Sequence, residues 1–399
     1  MPIEAVDFFY LSMPVVTDAG DGSQDALVVR VVADGVTGWG ECEASPLVSI
    51  AAFVAPMSHG ACRGVRDVVM GRPVDSPADI AAISAAAELW CMDMLQAPHT
   101  LSGIEIALWD ILGKKRAAPV WQLLGWERAH PKTPYASQLF GETPEATLAG
   151  CRAARAAGFR AVKCGWGPFG TSTLAADRDQ LQAAREGLGP EGVLLVDAGQ
   201  VFREDVAAAA LRLPLLAEAG VVWFEEPFLS GALDAYAALA AQSGAVRLAG
   251  GEAAHNVQMG LQIIDLGGIG FVQIDCGRIG GIGPATRVAR HAAARGVAYV
   301  NHTFTSHLAL AASLQPYAGL AGDRLCEYPF DPRPVASEMT HTHLEPDANG
   351  EIRLPDAPGL GIEMDENAMA RYLVEAEIRV GGKLLYQTPP LGDPGRSRG

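Results

Sequence analysis

The rhythm of apolar and polar positions changes twice along the chain. Up to about residue 130 it is mixed. "ALVVRVVADGVTGWGE" alternates on both sides of Asp34-Gly35 and predicts a β-hairpin with its turn at that pair. "SGIEIALWDILGKKRAAPVWQLLG" predicts an amphipathic helix ending near Lys114 and Lys115, then a break at Pro119 and a second short helix. Strands that precede helices without strict alternation predict an α+β domain over residues 1–130.

From about 131 to 330 short apolar runs alternate with alanine-rich helical stretches such as "EATLAGCRAARAAG" and "REDVAAAALRLPLLAEAG". The runs are eight: "TPYASQLF", "FRAVKCGW", "GVLLVDAG", "VVWFEEP", "VRLAGGEA", "FVQIDCG", "AYVNHTF" and "RLCEYPF". Strict alternation implies a parallel sheet, and eight units imply a closed α/β barrel of the (β/α)8 type, its last helix replaced or shortened. Residues 331–399 form a third stretch, running through "LPDAPGLGIEMDENAMARYLVEAEI" to a tail, "TPPLGDPGRSRG", expected to fray.

The polar residues that close the apolar runs carry the chemistry. In "VVWFEEPF" a buried strand ends in two carboxylates and a proline. The same place is held by Lys163, Asp197, Glu225, Glu252, Asp275, His302 and Glu327, and from Asp197 onward the steps are 28, 27, 23, 27 and 25 residues. Strand ends of such a barrel converge on one mouth, so these side chains are expected to form one site.

Asp197, Glu225 and Glu252 come from three consecutive strands, and their crowded charge needs a cation. An all-oxygen set suits Mg²⁺, with Mn²⁺ as a substitute. Glu226 is expected to point to the other side and to support a ligand. Asp275 and His302, on neighbouring strands, form a carboxylate–imidazole dyad fit for a general base. Lys163 is placed across the mouth from His302, as a counter-ion or as a catalytic group. Glu327 has no cation nearby in sequence and, if buried, is expected to stay protonated and donate a hydrogen bond. Of the remaining groups, Trp166 and Phe169 border the pocket or pack the loop, and "GRIGGIG" is expected to serve close strand–helix packing. His307 is expected to be structural, and His255 is a weaker candidate for a second acid.

Composition sets the outer bounds. A net charge of −16 argues against a nucleic-acid partner and requires a local cation for any acidic ligand. No apolar run reaches membrane-spanning length, and "MPIEAVDFFYLSM" lacks the pattern of a signal peptide. Seven scattered cysteines with no CxxC pair are expected to be reduced thiols of a cytoplasmic protein.

With these motifs in order, the chain resembles the enolase superfamily, in particular its mandelate racemase subgroup. The residues that carry the resemblance are "GWGE", "IALWDILGKKRAAPVWQLLG", "GFRAVKCG", "VDAGQ", "WFEEP", "GGE", "DCGRIGGI", "NHTF", "CEYPF" and "LPDAPGLGIEMDE". The resemblance implies an α+β capping domain, completed by the C-terminal segment, above an enolase-type barrel. It implies Asp197, Glu225 and Glu252 as Mg²⁺ ligands, the Asp275–His302 dyad as base, and Lys163 and Glu327 at the substrate carboxylate. The loops that choose the substrate would be "VVTDAGDGSQ" and "SPLVSIAAFVAPMSHG", and a homo-oligomer is implied. The subgroup ends its second strand in Lys-x-Lys, but here Gly165 takes the place of the second lysine. With one face armed by His302, the expected reaction is dehydration of a sugar acid, aldonate or aldarate, to a 2-keto-3-deoxy acid. A racemase or epimerase using Lys163 on the other face, and a non-catalytic metal-binding barrel, are the alternatives.

Overall fold

The computed structural model describes residues 2–43 and 45–392. Strands β1 (Ile3–Ser12), β2 (Asp25–Ala33) and β3 (Val36–Cys42) form an antiparallel sheet in that order. The β2–β3 turn is the expected one, with Asp34 and Gly35 both left-handed (φ 52° and 70°), the geometry a two-residue hairpin demands. The helix Ala97–Arg116 crosses this sheet and is followed, past a left-handed Ala117, by the short helix Val120–Leu123.

The long helix departs from expectation in two ways. It starts earlier, because Pro98 lies in its first turn, where its missing N–H costs nothing. It is also not amphipathic: every residue from Thr100 to Gly113 is buried. The sheet covers one side and the barrel another, so its polar residues are spent inside. Asp110 accepts from the amides of Trp39 (3.1 Å) and Leu360 (3.0 Å), the second of which fixes the C-terminal segment.

All eight expected barrel strands form: β4 (Thr133–Leu139), β5 (Ala161–Gly165), β6 (Val193–Asp197), β7 (Val221–Glu225), β8 (Arg247–Gly250), β9 (Phe271–Ile274), β10 (Ala298–Asn301) and β11 (Leu325–Pro329). They are parallel and ordered β10-β9-β8-β7-β6-β5-β4-β11. No backbone ladder joins β10 to β11, and side chains bridge the seam instead, Asn301 foremost. Asn301 accepts from the Glu327 amide (3.0 Å) and donates to the Glu327 carbonyl (3.3 Å), imitating a strand partner. Tyr135, Leu195, Trp223 and Val300 fill the barrel's interior as a separate apolar plug, the floor on which the polar mouth rests.

The helix after β11, Pro334–Glu338, is a single turn, so the last barrel helix is indeed shortened. The chain then returns to the first sheet. A hairpin of β12 (Glu377–Val380) and β13 (Lys383–Gln387) places the Tyr386 hydroxyl on the Phe8 carbonyl at 2.7 Å. The expected frayed tail lies mostly at 393–399, outside the described residues. Among the described residues no helix is long and apolar enough to cross a membrane, and the seven cysteines are free.

Candidate active site

Three positional rules bring the polar residues to one mouth. Lys163 and Glu327 are the third residues of β5 and β11 and point inward above the plug. Asp197 and Glu225 end β6 and β7 side by side in register. Glu252, Asp275 and His302 lie one or two residues beyond β8, β9 and β10. A cavity of about 310 Å³ is lined by Lys163, Asp197, Glu252, His302 and Glu327, with Glu225 fully buried at its edge. Residues 19–22 of the first expected loop close it from above. The second expected loop does not line it and contains the helix Pro46–Val54.

Lys163 is the hub of one half. Its ammonium lies 2.7 Å from Glu225, 2.8 Å from Glu327 and 3.9 Å from Asp197. Burial opposes its charge, but Glu225 and Glu327 raise its pKa well above the lysine range. Glu327 therefore departs from the expectation of a neutral acid. Although burial pushes its pKa up, Lys163 and His302 bring it below the usual value, and it accepts from Ser137 (2.8 Å) and the Thr303 amide (2.8 Å). The sequence hid this pairing because Lys163 and Glu327 are distant along the chain and meet only because β11 closes against β4, the neighbour of β5.

His302 is the hub of the other half. Nδ1 is 2.6 Å from Asp275 and Nε2 is 3.1 Å from Glu252. Asp275 also accepts from the Gly277 amide at 2.6 Å, which fixes the carboxylate that orients the imidazole. Burial disfavours the imidazolium, yet Glu252 and Glu327 raise its pKa to about 10. Arg278 grips Glu252 (3.3 Å) and Glu43 (3.0 Å), tying the barrel to the chain just after β3. Burial pushes Glu252 up, but His302 and Arg278 hold it down to about 2.

The carboxylates exceed the cations that serve them. Burial, with neighbouring carboxylates adding to it, pushes Asp197 up to about 6 and Glu225 up to about 8. Glu226 is raised further by burial and by Glu252. One of its oxygens accepts from Gln200 (2.7 Å) and the other is buried without a partner. Such a donor set fits a hard divalent cation, and Lys163 stands among the oxygens in the manner of one. The trio is not closed: among the described residues no three such side chains stand together around a point where an ion would sit. Glu252 is turned to Arg278 and His302, and would have to leave them to join Asp197 and Glu225.

The secondary candidates separate cleanly. Trp166 borders the cavity, and its ring lies against Gly20 of the covering segment. Phe169 is buried and stacked on Phe140 (5.4 Å), so it packs the loop. His255 turns away from the cavity toward His99 (2.7 Å), which removes it as a second acid. His307 stacks on His343 (4.5 Å) and accepts from the Leu344 amide, a structural role.

"GRIGGIG" does more than pack. The Glu105 carboxylate lies in it, accepting from the amides of Ile282 (2.7 Å) and Gly283 (2.9 Å) at the start of the helix Ile282–Arg295. A Cβ at Gly281 would sit 2.1 Å from that carboxylate. The run thus cradles an anion, as its resemblance to phosphate loops hints, but the anion is the protein's own. Arg278, Glu43, Glu105 and Asn301 escaped the sequence reading. Arg278 alone carried a signal, three residues beyond Asp275.

A parallel barrel with acidic strand ends, an imidazole–carboxylate dyad and an antiparallel sheet above define an enolase-type protein, and comparison agrees. The chain belongs to the enolase superfamily, in its mandelate racemase subgroup. Residues 7–125 match the mandelate racemase / muconate lactonizing enzyme N-terminal domain, and residues 146–368 match the enolase C-terminal domain-like family. It is 32% identical over 284 residues to D-galactarolactone cycloisomerase of Agrobacterium fabrum (68% of this chain, 73% of the relative). It is 28% identical to arabinonate dehydratase of Saccharolobus solfataricus (68% of this chain, 71% of the relative). A crystal structure from Rhodobacter sphaeroides, described as a "predicted mandelate racemase", is 64% identical with a TM-score of 0.94, covering 98% of this chain and 100% of that one.

Proposed function

We propose that the protein removes the proton α to the carboxylate of a sugar acid and expels the β-hydroxyl, giving a 2-keto-3-deoxy acid. Asp197, Glu225 and Glu252 would hold Mg²⁺, or Mn²⁺ in its place, which when bound supplies Lewis-acid stabilisation of charge developing on the substrate carboxylate. Lys163 adds a fixed positive charge beside that carboxylate. Glu327 and Glu225 keep it there, and its raised pKa keeps it an ammonium.

His302 takes the α-proton at Nε2 once Glu252 no longer faces that nitrogen, while Asp275 holds Nδ1 and fixes the tautomer. The electron pair of the broken C–H bond enters the enediolate and then forms the double bond as the β C–O bond breaks. The same imidazolium returns its proton to the departing hydroxyl, which leaves as water, and the enol tautomerises to the keto acid.

The observation that carries this reading is the asymmetry of the mouth. His302 lines the cavity with its imidazole, whereas at the β5 end Gly165 supplies no side chain and Lys163 is already paired with carboxylates. A Cβ at 165 would lie 3.0 Å from Asp197, so even a small side chain there would press on that carboxylate. Racemisation through Lys163 would need it free and neutral, and its surroundings oppose both.

A second reading keeps the chemistry and changes the leaving group to a ring oxygen. The similarity to a cycloisomerase supports it. Incubation with open-chain and lactone forms of sugar acids, followed by trapping of the keto product, tests both. Keto acid from open-chain acids supports dehydration. Epimerised acid with no keto product would contradict both eliminations.

A further inference from the structure

We infer that the substrate is a monocarboxylate, an aldonate, and that the site excludes the matching aldarate because Glu43 neutralises the one cation at its far end. This rests on the sugar-acid reading above and narrows it.

A sugar acid whose reacting carboxylate lies near Lys163 must extend its polyol away from β5. Beyond the main cavity an adjoining space of about 330 Å³ continues past Gly22, Glu43 and Arg278, which line both. Its other walls include Asp25, Ser45, Gln96 and His99. Hydroxyl groups suit these walls. Serine, glutamine and an imidazole can each donate or accept, and the two carboxylates accept from hydroxyls.

A second carboxylate would meet a different field. Among the described residues lining the two spaces, Lys163 and Arg278 are the lysine and arginine side chains, and Lys163 is at the reacting end. The two terminal nitrogens of Arg278 each serve a carboxylate, one Glu252 (3.3 Å) and the other Glu43 (3.0 Å). When Glu252 turns toward a metal, Glu43 still holds Arg278. Asp21, in the covering segment, lines the main cavity, and Arg333, which does not line it, holds its carboxylate at 2.9 Å. In the adjoining space an aldarate's distal carboxylate would therefore meet Glu43 and Asp25, while the guanidinium there already serves Glu43, so the diacid gains no cation of its own.

The test pairs acids of equal length and configuration, D-gluconate with D-glucarate and D-galactonate with galactarate, using the Mg²⁺-loaded enzyme. Keto-acid formation gives kcat/KM, and calorimetry gives affinity. An aldonate preference of about tenfold or more in either readout is expected. Glu43→Gln should free Arg278 and shift the aldarate-to-aldonate ratio toward the diacid by about tenfold. Equal or better use of aldarates by the native chain, or an unchanged ratio in Glu43→Gln, would overturn the inference. If no acid yields a keto product, the elimination reading fails. The calorimetric ratio then decides the inference separately: tighter or equal binding of the diacid overturns it, and tighter binding of the monoacid sustains it.

Discussion

At His302 two carboxylates touch one imidazole, Asp275 through Nδ1 and Glu252 through Nε2, and Glu252 and Glu327 raise its pKa to about 10 although burial opposes the charge. In this arrangement the residue is an acid. In the proposed mechanism it serves as base once Glu252 moves, so one carboxylate would act both as ligand and as control on the base. Glu252→Gln should therefore do two things at once. The His302 pKa should fall toward its ordinary value in a metal-free NMR titration, and Mg²⁺ affinity by calorimetry should drop by at least about tenfold. His302→Asn should keep the fold and lower kcat by about 10²–10⁴. Full activity in that variant would remove the base assignment. Glu41 allows a test of pH dependence. It is buried, accepts from Ser306 through one oxygen and leaves the other without a partner, and burial pushes its pKa up from 4.5 to about 7. A carboxyl raised on folding stabilises the fold below its unfolded pKa and loses that contribution as pH rises through its folded one. Native stability should thus fall between about pH 4.5 and pH 7 by up to about 3 kcal/mol from this group. Glu41→Gln, which imitates the neutral acid, should match the native chain in urea unfolding at pH 5 and exceed it at pH 8.

At the scale of elements, the strands were legible and the long helix was only partly so. Each barrel strand is a short apolar run bounded by glycine or charge, and burial on both faces makes such runs stand out. The Ala97–Arg116 helix misled because its polar residues read as a solvent face, whereas Glu105 and Asp110 are buried anchors for the barrel and the C-terminal segment. No periodicity distinguishes a polar residue that faces water from one that caps a distant helix. Glu105→Ala should strip two backbone donors of their partner and also free the Trp109 indole N–H (2.8 Å). A loss of about 2–4 kcal/mol in chemical denaturation is expected. A comparable test at the seam is Asn301→Ala, which leaves the Glu327 amide and carbonyl without the side chain that joins β10 to β11. It should destabilise the barrel by about 1–3 kcal/mol. It should also loosen Glu327, seen as faster amide exchange at β11.

On the scale of the whole molecule, the site belongs to no single segment. Barrel strand ends supply the chemistry, residues 19–22 cover it, and Arg278 to Glu43 links the two bodies. The seven strand-end residues could be found in the sequence because their spacing repeats with the strand–helix unit. The pairings they make could not: Lys163 meets Glu327 only because β11 closes against β4, and Glu252 meets Arg278 through the segments that follow β8 and β9. A surplus of carboxylates also predicts a linkage: saturating Mg²⁺ at about a hundred times its Kd should add about 2.7 kcal/mol of stability, read as a higher Tm, and Glu252→Gln should blunt that gain. The central proposed step is α-proton removal by His302 followed by loss of the β-oxygen. Its most direct test is NMR of a sugar acid incubated with the Mg²⁺-loaded protein in ²H₂O. The expected result is a 2-keto-3-deoxy acid carrying deuterium at C3, formed by the native chain and not by His302→Asn. Recovery of the acid deuterated or epimerised at the α-carbon, with no keto acid, would contradict it.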